Sequence, residues 1–271
     1  VFVHKGKADT VEPRLRRIFI PDEERSLSRI DNVIRRCFQA RAEDKEMGDA
    51  VFYEMFETLF GKEDRRLELR TNFRYDITVS DYPARETRND PQAVNYFKVT
   101  THIEYTKTLR NNPFIIGCAL NNQQLSDLFE DPRCEYRWLL FSRDALFKEG
   151  DFQVDRVCVD GEVVPITRTA YTTRGYEVWC GGDVLRKKIN RPIRLKIDIQ
   201  TKKYKSSNSF SVYLVYPTRG LDISFHYAGT NLKNVREVSF FAGKHPYPQV
   251  TTERGKLIRL MVDENDWVFP N

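Results

Sequence analysis

The chain has 271 residues, of which 40% are hydrophobic and 31% are charged. A chain of this length can bury a large core without disulfides or metal ions, and its composition excludes the intrinsically disordered class. Its 44 basic and 39 acidic residues give a net charge of +5, so we expect a mixed surface on which only local charge clusters are informative.

The N-terminus combines a short apolar segment with basic residues. The chain opens with Val1-Phe2-Val3 and then carries Lys5, Lys7, Arg14, Arg16 and Arg17. This order is expected beside the cytoplasmic end of a membrane helix that is not itself part of the chain. An ordinary first strand is the alternative. The sequence itself has no apolar run long enough to cross a bilayer.

Two segments that follow have the apolar spacing of amphipathic helices. The first covers residues 26 to 42, and Ser26 can cap its N-terminus. The second ends before Gly61, a residue type preferred just beyond helix C-termini. Their apolar residues recur every three or four positions, at Leu27, Ile30, Val33, Ile34, Cys37 and Phe38, and then at Val51, Phe52, Met55, Phe56, Leu59 and Phe60. The pattern predicts two helices, arranged as a hairpin or as one kinked rod.

Beyond Gly61 the apolar period changes from 3.6 to 2, which is the period of a strand. Residues 67 to 79 and 96 to 109 alternate in this way and are separated by a stretch rich in Asp, Asn and Pro. Because strands that are adjacent in sequence usually pair, we predict a long antiparallel hairpin. A short helical turn is predicted from Gln123 to Phe129, followed by a strand from Tyr136 to Phe141.

The remainder of the chain is predicted to be almost entirely strand. Asp160-Gly161 indicates a tight hairpin turn between residues 154–159 and 162–166, since Asp and Gly tolerate positive φ angles. Further strands are predicted at Tyr171–Trp179, Ile193–Ile199, Phe210–Tyr216, Leu221–Tyr227, Val235–Phe241, Leu257–Val262 and Trp267–Phe269. We therefore predict a mainly β, α+β protein with a helical segment (1–64), a long β-hairpin region (65–145) and an antiparallel β-sandwich or open barrel (146–271).

Sequence motifs for catalysis are missing. The chain contains no phosphate-binding G-x-x-x-x-G-K-[ST], no G-x-G-x-x-G, no H-E-x-x-H and no G-x-S-x-G. Its five cysteines form no C-x-x-C pair, and its four histidines are not spaced as metal ligands. These observations favour a protein that is not an enzyme and has no cofactor or metal site. The cysteines are interpreted as free thiols in a reducing compartment.

A basic segment from residue 186 to 205 stands out against this background. Within these 20 residues Asp198 is the single acidic residue. The candidate contacts for an anion or nucleotide are Arg186, Lys187, Lys188, Arg191, Arg194, Lys196, Lys202, Lys203 and the aromatic Tyr204. Three interpretations remain open: a solvated strand face that discourages aggregation, a site for a nucleotide or single-stranded nucleic acid, and a contact with an anionic membrane.

The order of these elements carries a resemblance. A possible membrane-proximal stub, two amphipathic helices, long strands at Leu67–Val79 and Tyr96–Tyr105, and a terminal β-sandwich resemble the cytosolic regions of membrane-anchored effectors in bacterial nucleotide-signalling and anti-phage defence systems. The resemblance is one of layout, and no site residue is transferred from it. It implies an oligomeric antiviral module at the cytoplasmic face of the inner membrane that recognises a cyclic or linear oligonucleotide.

The leading hypothesis is therefore a non-enzymatic, ligand-sensing and oligomerising cytoplasmic domain. A protein-interaction or structural β-sandwich without a nucleic-acid ligand is the alternative, for which the helices would supply an apolar docking face. A nuclease assembled from Asp and Glu residues on separate strands is a third possibility.

Overall fold

The computed structural model describes residues 27–60, 68–140, 150–207, 209–238, 249–253 and 256–269. The chain divides into two compact units between residues 67 and 68. The predictions made for Val1–Arg17, Ser26, Gly61, Leu67, Phe141 and residues 239–241 lie outside the described residues.

The first unit is an antiparallel helical hairpin of α1 (Leu27–Ala42) and α2 (Lys45–Phe60). Glu43 reverses the chain in the left-handed conformation, with φ of 54°, and the Asp44 carboxylate accepts a hydrogen bond from the Met47 amide. Asp49 then accepts a two-pronged ion pair from Arg35, at 2.5 and 2.8 Å. Of the two arrangements predicted for the helices, the hairpin is therefore the correct one.

The second unit is mainly β, as the sequence predicts. Short helices and one 3₁₀ segment interrupt its strands. The helical elements are α3 (Ala84–Asn89), a 3₁₀ turn (Pro91–Asn95), α4 (Asn122–Glu130) and α5 (Asp183–Arg186). The strands are β1 (Arg70–Asp81), β2 (Tyr96–Thr108), β3 (Phe114–Ala119), β4 (Cys134–Leu139), β5 (Phe152–Val159), β6 (Glu162–Val163), β7 (Ile166–Thr172), β8 (Gly175–Cys180), β9 (Pro192–Tyr204), β10 (Thr218–Gly229), β11 (Gln249–Glu253) and β12 (Leu257–Val268).

These strands form two sheets. The large sheet has the order β11-β12-β10-β1-β2-β9-β5-β6, and the small sheet has the order β4-β3-β8-β7. Both sheets take strands from either side of residue 145, and the described residues from 68 onward belong to one compact unit.

The main core lies between the two sheets. On β1, β2 and β9 the apolar residues at alternate positions all face inward, because side chains in a strand point to opposite faces with period 2. They pack in one cluster with inward side chains of the small sheet such as Phe114, Ile116 and Cys118. The predicted sandwich is thus present, and its sheets do not close into a barrel.

Strand β3 is buried on both of its faces. Its other face carries Ile115, Gly117 and Ala119 and is covered by α4, whose Leu128 is fully buried. A Cβ atom on Gly117 would come within 2.7 Å of the Leu128 methyl carbons, so glycine permits this close approach. The described part of the β unit is therefore layered as large sheet, small sheet and helix.

Several sequence predictions about the strands are wrong in detail. The pairs β1–β10 and β3–β4 are parallel, so the unit is not purely antiparallel. Residues 171–179 form a hairpin rather than one strand, because the chain turns before Gly175, whose φ is 107° and where a Cβ atom would clash with the Cys118 carbonyl oxygen. The predicted strands Leu257–Val262 and Trp267–Phe269 are parts of one strand, β12, which ends at Val268 and leaves Phe269 outside it.

The predicted strand at Phe210–Tyr216 is also wrong. The segment is not assigned to either sheet, yet Phe210, Val212 and Leu214 pack against the main core. The alternation of apolar residues in this segment therefore reflects burial of one of its sides, and not hydrogen bonding to a neighbouring strand. The described residues 235–238 likewise lie outside any strand.

Candidate anion-binding surface

The outer face of β9 is where the sequence places two of the basic side chains. Arg194 and Lys196 do project from this face, but both contact the Glu104 carboxylate of β2, with the Lys196 ammonium 3.0 Å from Oε2. The antiparallel register of β2 and β9 brings these charges together. Glu104 therefore contacts both cationic side chains and offsets one of their two positive charges.

Asp198 organises a second charged group on the same face. It accepts hydrogen bonds from His102 on β2 and Arg156 on β5, both at 2.8 Å. Partial burial opposes ionisation of Asp198, but the two hydrogen bonds outweigh it and hold the pKa of the carboxyl below its usual value. The outer face is thus a ladder of internally paired charges, and we interpret it as a solvated sheet face.

Other predicted contacts are also already engaged within the chain. The Lys188 ammonium lies 3.1 Å from Asp160 and 3.4 Å from Glu162, next to the Asp160-Gly161 turn. Lys202 lies 3.4 Å from Asp151. None of these side chains points to a shared ligand position.

Lys203 and Tyr204 differ from the prediction in another way. Lys203 belongs to the inward-facing set of β9 and lies 5.6 Å from the centre of the Phe210 ring, where burial lowers the pKa of its ammonium. Tyr204 is 45% exposed and packs edge-on against Tyr96, with ring centres 5.0 Å apart. The ring of Tyr204 thus remains partly accessible, whereas the Lys203 side chain is directed toward Phe210 and away from the outer face of β9.

A basic corner forms where the turn after β2 meets the segment before β9. The two turns are joined through backbone bonds between Leu109 and residues 190–191, at 2.7 and 3.1 Å. The Asn112 amide both donates to and accepts from the backbone of Gly182, at 3.0 and 3.1 Å. Arg110 donates to the Asn190 side chain at 3.0 Å. These bonds fix both turns before any ligand arrives.

The corner concentrates positive charge. Arg110 and Arg186 line an open depression of about 570 Å³ together with Asn111, Asn112 and Ile189. Lys187 and Arg191 are exposed in the same turns. Within the described ranges, Arg110, Lys187 and Arg191 have no carboxylate partner, whereas Arg186 pairs with Asp183 at 3.1 Å. We define Arg110, Arg186, Lys187 and Arg191 as the basic corner.

Comparisons with known proteins do not assign the chain to a family. No family model and no curated protein matches the chain. Among solved structures, leukotriene A4 hydrolase of Saccharomyces cerevisiae is similar with a TM-score of 0.34 and 9% identity over 74% of this chain and 27% of that chain. An M1 zinc metallopeptidase of Deinococcus radiodurans is similar with a TM-score of 0.32 and 9% identity over 78% of this chain and 42% of that chain. The chain spans less than half the length of either structure, and TM-scores this low support no inference about activity.

Metal-binding and nucleophilic side chain types also lie outside the basic corner in the described residues. No group of three or more His, Cys, Asp or Glu side chains is arranged to hold a metal ion in that part of the chain. Cys180 is buried, and burial raises the pKa of its thiol to about 12. Among the helices that the structure describes, none is both long and apolar enough to cross a membrane.

A further group of charges lies inside the core. Glu135 of β4 accepts hydrogen bonds from the Tyr105 hydroxyl at 2.7 Å and the Lys107 ammonium at 2.5 Å, and Arg70 donates to its backbone carbonyl at 3.0 Å. The Arg70 guanidinium also stacks on the Tyr105 ring. Burial opposes the charge of Glu135, but Lys107 and Arg70 hold its pKa below the ordinary value. Because these side chains are buried, we interpret their role as structural: they connect β4 of the small sheet to β1 and β2 of the large sheet.

The basic corner retains part of the predicted site and adds one residue. Arg186, Lys187 and Arg191 lie in the turn that helps form it. The other predicted basic residues have partners within the chain: carboxylates for Lys188, Arg194, Lys196 and Lys202, and the Phe210 ring for Lys203. Arg110 was missed because it lies 76 residues before Arg186 in the sequence and reaches the corner through the pairing of β2 with β9. A single arginine after a strand is not a recognisable sequence pattern for an anion site.

Proposed function

We propose that the β unit is a non-enzymatic recognition module that binds an acidic, phosphate-bearing ligand at the basic corner. The observation that carries this proposal is the set of three cationic side chains, Arg110, Lys187 and Arg191, that lack a carboxylate partner among the described residues. Phosphate groups are attracted to such a cluster by Coulomb forces and by release of their counterions.

The ligand class follows from shape as well as charge. An open depression of about 570 Å³ is wide enough to admit a nucleotide and does not enclose it. Asn111 and Asn112 are both engaged in backbone hydrogen bonds, so the cations rather than the amides would supply most of the affinity. A nucleotide or a short oligonucleotide bound through its phosphates fits this surface. The link to a membrane-associated defence effector stays a prediction of the sequence resemblance.

Fluorescence polarisation of a labelled single-stranded oligonucleotide at two salt concentrations tests the proposal. The variant R110A/K187A/R191A should bind more weakly, and the slope of log K against log salt should fall by about 2 if three phosphate contacts are lost. Competition with cyclic dinucleotides and with inorganic phosphate distinguishes a nucleotide from a free anion.

The matched control is R194A/K196A/K202A, which removes the same charge from side chains already paired with Glu104 and Asp151. It should change affinity and salt slope much less than the corner variant. Equal losses in the two variants would mean that the average charge of the unit, and not the corner, attracts the oligonucleotide.

One observation favours a second candidate function, the capture of an extended peptide. Strand β7 is an edge of the small sheet, and its residues Ile166–Ala170 are exposed or half-exposed on both faces. An edge strand can accept a further strand through its backbone groups. A partner peptide bound there should slow hydrogen exchange of β7 amides and leave those of the basic corner unchanged.

A further inference from the structure

One side of the helical hairpin is apolar and exposed. The contact between the helices uses Phe38 and Phe52, whose ring centres lie 6.5 Å apart, and Phe52 is buried. A second set of apolar side chains is exposed. Its members are Val33 at 38% exposure, Met47 at 61%, Val51 at 41%, Met55 at 42% and the exposed Cys37.

These side chains form a stripe on each helix. Met47, Val51 and Met55 follow a spacing of four residues on α2, and Val33 and Cys37 do the same on α1. At about 100° per residue, Val33 and Cys37 lie about 100° or more from Phe38, and Met47 and Val51 lie about 100° or more from Phe52, whereas Met55 lies about 60° from Phe52. Because the helices run antiparallel, both stripes fall on the same side of the hairpin. We call this side the apolar face.

The described side chains of the hairpin form only a small apolar core. Each helix has 16 residues, a length that is marginal for an isolated helix in water. Among the described hairpin side chains, Phe52 is the single apolar one that is buried. Most helical stability in proteins comes from packing an apolar face, so the apolar face needs an occupant.

Charge indicates what the occupant is. Four arginines and one aspartate give α1 a net charge of +3, whereas four acidic residues and one lysine give α2 a net charge of −3. Arg36 borders the stripe of α1 and Arg41 continues it one turn further, whereas Glu46 and Glu54 border the stripe of α2. In the described residues none of these four side chains has an ion-pair partner. The apolar face therefore has one basic and one acidic margin.

We propose that the apolar face binds the same face of a second copy of this chain. A two-fold axis parallel to the helices and between the two faces would place α1 of one copy on α2 of the other, so each basic margin meets an acidic one. The two hairpins would then form an antiparallel four-helix bundle with an apolar interior. A self-complementary surface of this kind fits an identical partner, whereas a partner of one charge would match only half of it.

Sedimentation equilibrium of the full chain over a wide range of concentration tests this proposal. The unaltered chain should show a reversible monomer–dimer equilibrium. R36E/R41E, with both margins acidic, and E46R/E54R, with both margins basic, should each dimerise about tenfold or more weakly. R85E/R88E reverses two exposed arginines of α3 in the β unit and should leave the equilibrium unchanged.

Mixing the two charge-reversed variants provides the decisive measurement. An equimolar mixture should recover dimers, because each acidic margin then meets a basic margin of the other variant. Circular dichroism of each variant alone checks that its helices remain folded. As a second readout, the Cys37 thiol should react more slowly as the chain dimerises, since it lies on the apolar face.

Two results would overturn the proposal. A chain that is monomeric at every concentration would show that the face is covered from within the chain or by a different protein. A dimer that persists in both reversed variants, or a mixture that stays monomeric, would show that two copies do not meet through these margins.

Discussion

Replacing Glu135 with glutamine should destabilise the β unit far more than the same change at Glu104. Both carboxylates contact two cations or more, but the side chain of Glu135 is 6% exposed and that of Glu104 is 20% exposed. The partners of Glu135 are buried as well, with 3% exposure for the Lys107 side chain and 5% for that of Arg70. The partners of Glu104 are largely exposed.

The magnitudes follow from this difference in burial. Removing one partner of a buried ion pair leaves an uncompensated charge and costs about 3–5 kcal/mol of unfolding free energy. Glutamine at position 135 leaves Lys107 with Glu68, at 2.8 Å, as its remaining carboxylate. The exposed pairs of Glu104 contribute about 0–1 kcal/mol. For a unit of this size the Glu135→Gln change should lower Tm by roughly 6–20 °C.

Urea denaturation and thermal melting measured by circular dichroism give both quantities, and their pH dependence adds a check. The folded-state pKa of Glu135 lies below its ordinary value, so its ionised form adds stability above that value and the contribution is lost as pH falls through the folded-state pKa. The difference between wild type and Glu135→Gln should therefore shrink at acidic pH. Equal destabilisation by the two glutamine variants, or a difference that does not change with pH, would refute this account of the core.

Three further predictions concern the small sheet and the thiols. Gly117→Ala places a methyl group 2.7 Å from Leu128 and should cost about 1–3 kcal/mol through overpacking, measured by urea denaturation; an unchanged free energy of unfolding would contradict this close contact. Burial would raise the pKa of Asp131, but hydrogen bonds from Arg133 lower it, so the ionised carboxylate should lose its stabilising effect as pH falls. Asp131→Asn should therefore flatten the acid limb of the stability curve, and an unchanged limb would contradict this role. At low protein concentration a thiol reagent should modify Cys37 quickly and the four buried cysteines only after unfolding, and rapid reaction of a second thiol would contradict the packing described for the β unit.

Local patterns in the sequence predicted much of the fold. The 3.6-residue period predicted both α1 and α2, and the period of 2 predicted the pairing of β1 with β2. The Asp160-Gly161 turn also forms as predicted, with φ angles of 52° and 86°. These features depend on neighbouring residues, so a single sequence contains the information for them.

Long-range pairing was not predictable in the same way. The parallel contact of β1 with β10 joins residues about 150 positions apart, and nothing in either strand specifies the partner. Alternation at Phe210–Tyr216 indicated a strand, although an extended segment that buries one side without pairing has the same pattern. Apolar periodicity reports which side is buried and leaves the hydrogen-bond partner undetermined.

The candidate site shows the same division. The sequence by itself determined where the positive charges lie along the chain, including the excess between residues 186 and 205. Only the tertiary structure decided which charges remain available, because Glu104 and Asp160 reach Arg194, Lys196 and Lys188 across the sheet. Coulomb interactions depend on distance in space, so the register of the strands selects the basic corner.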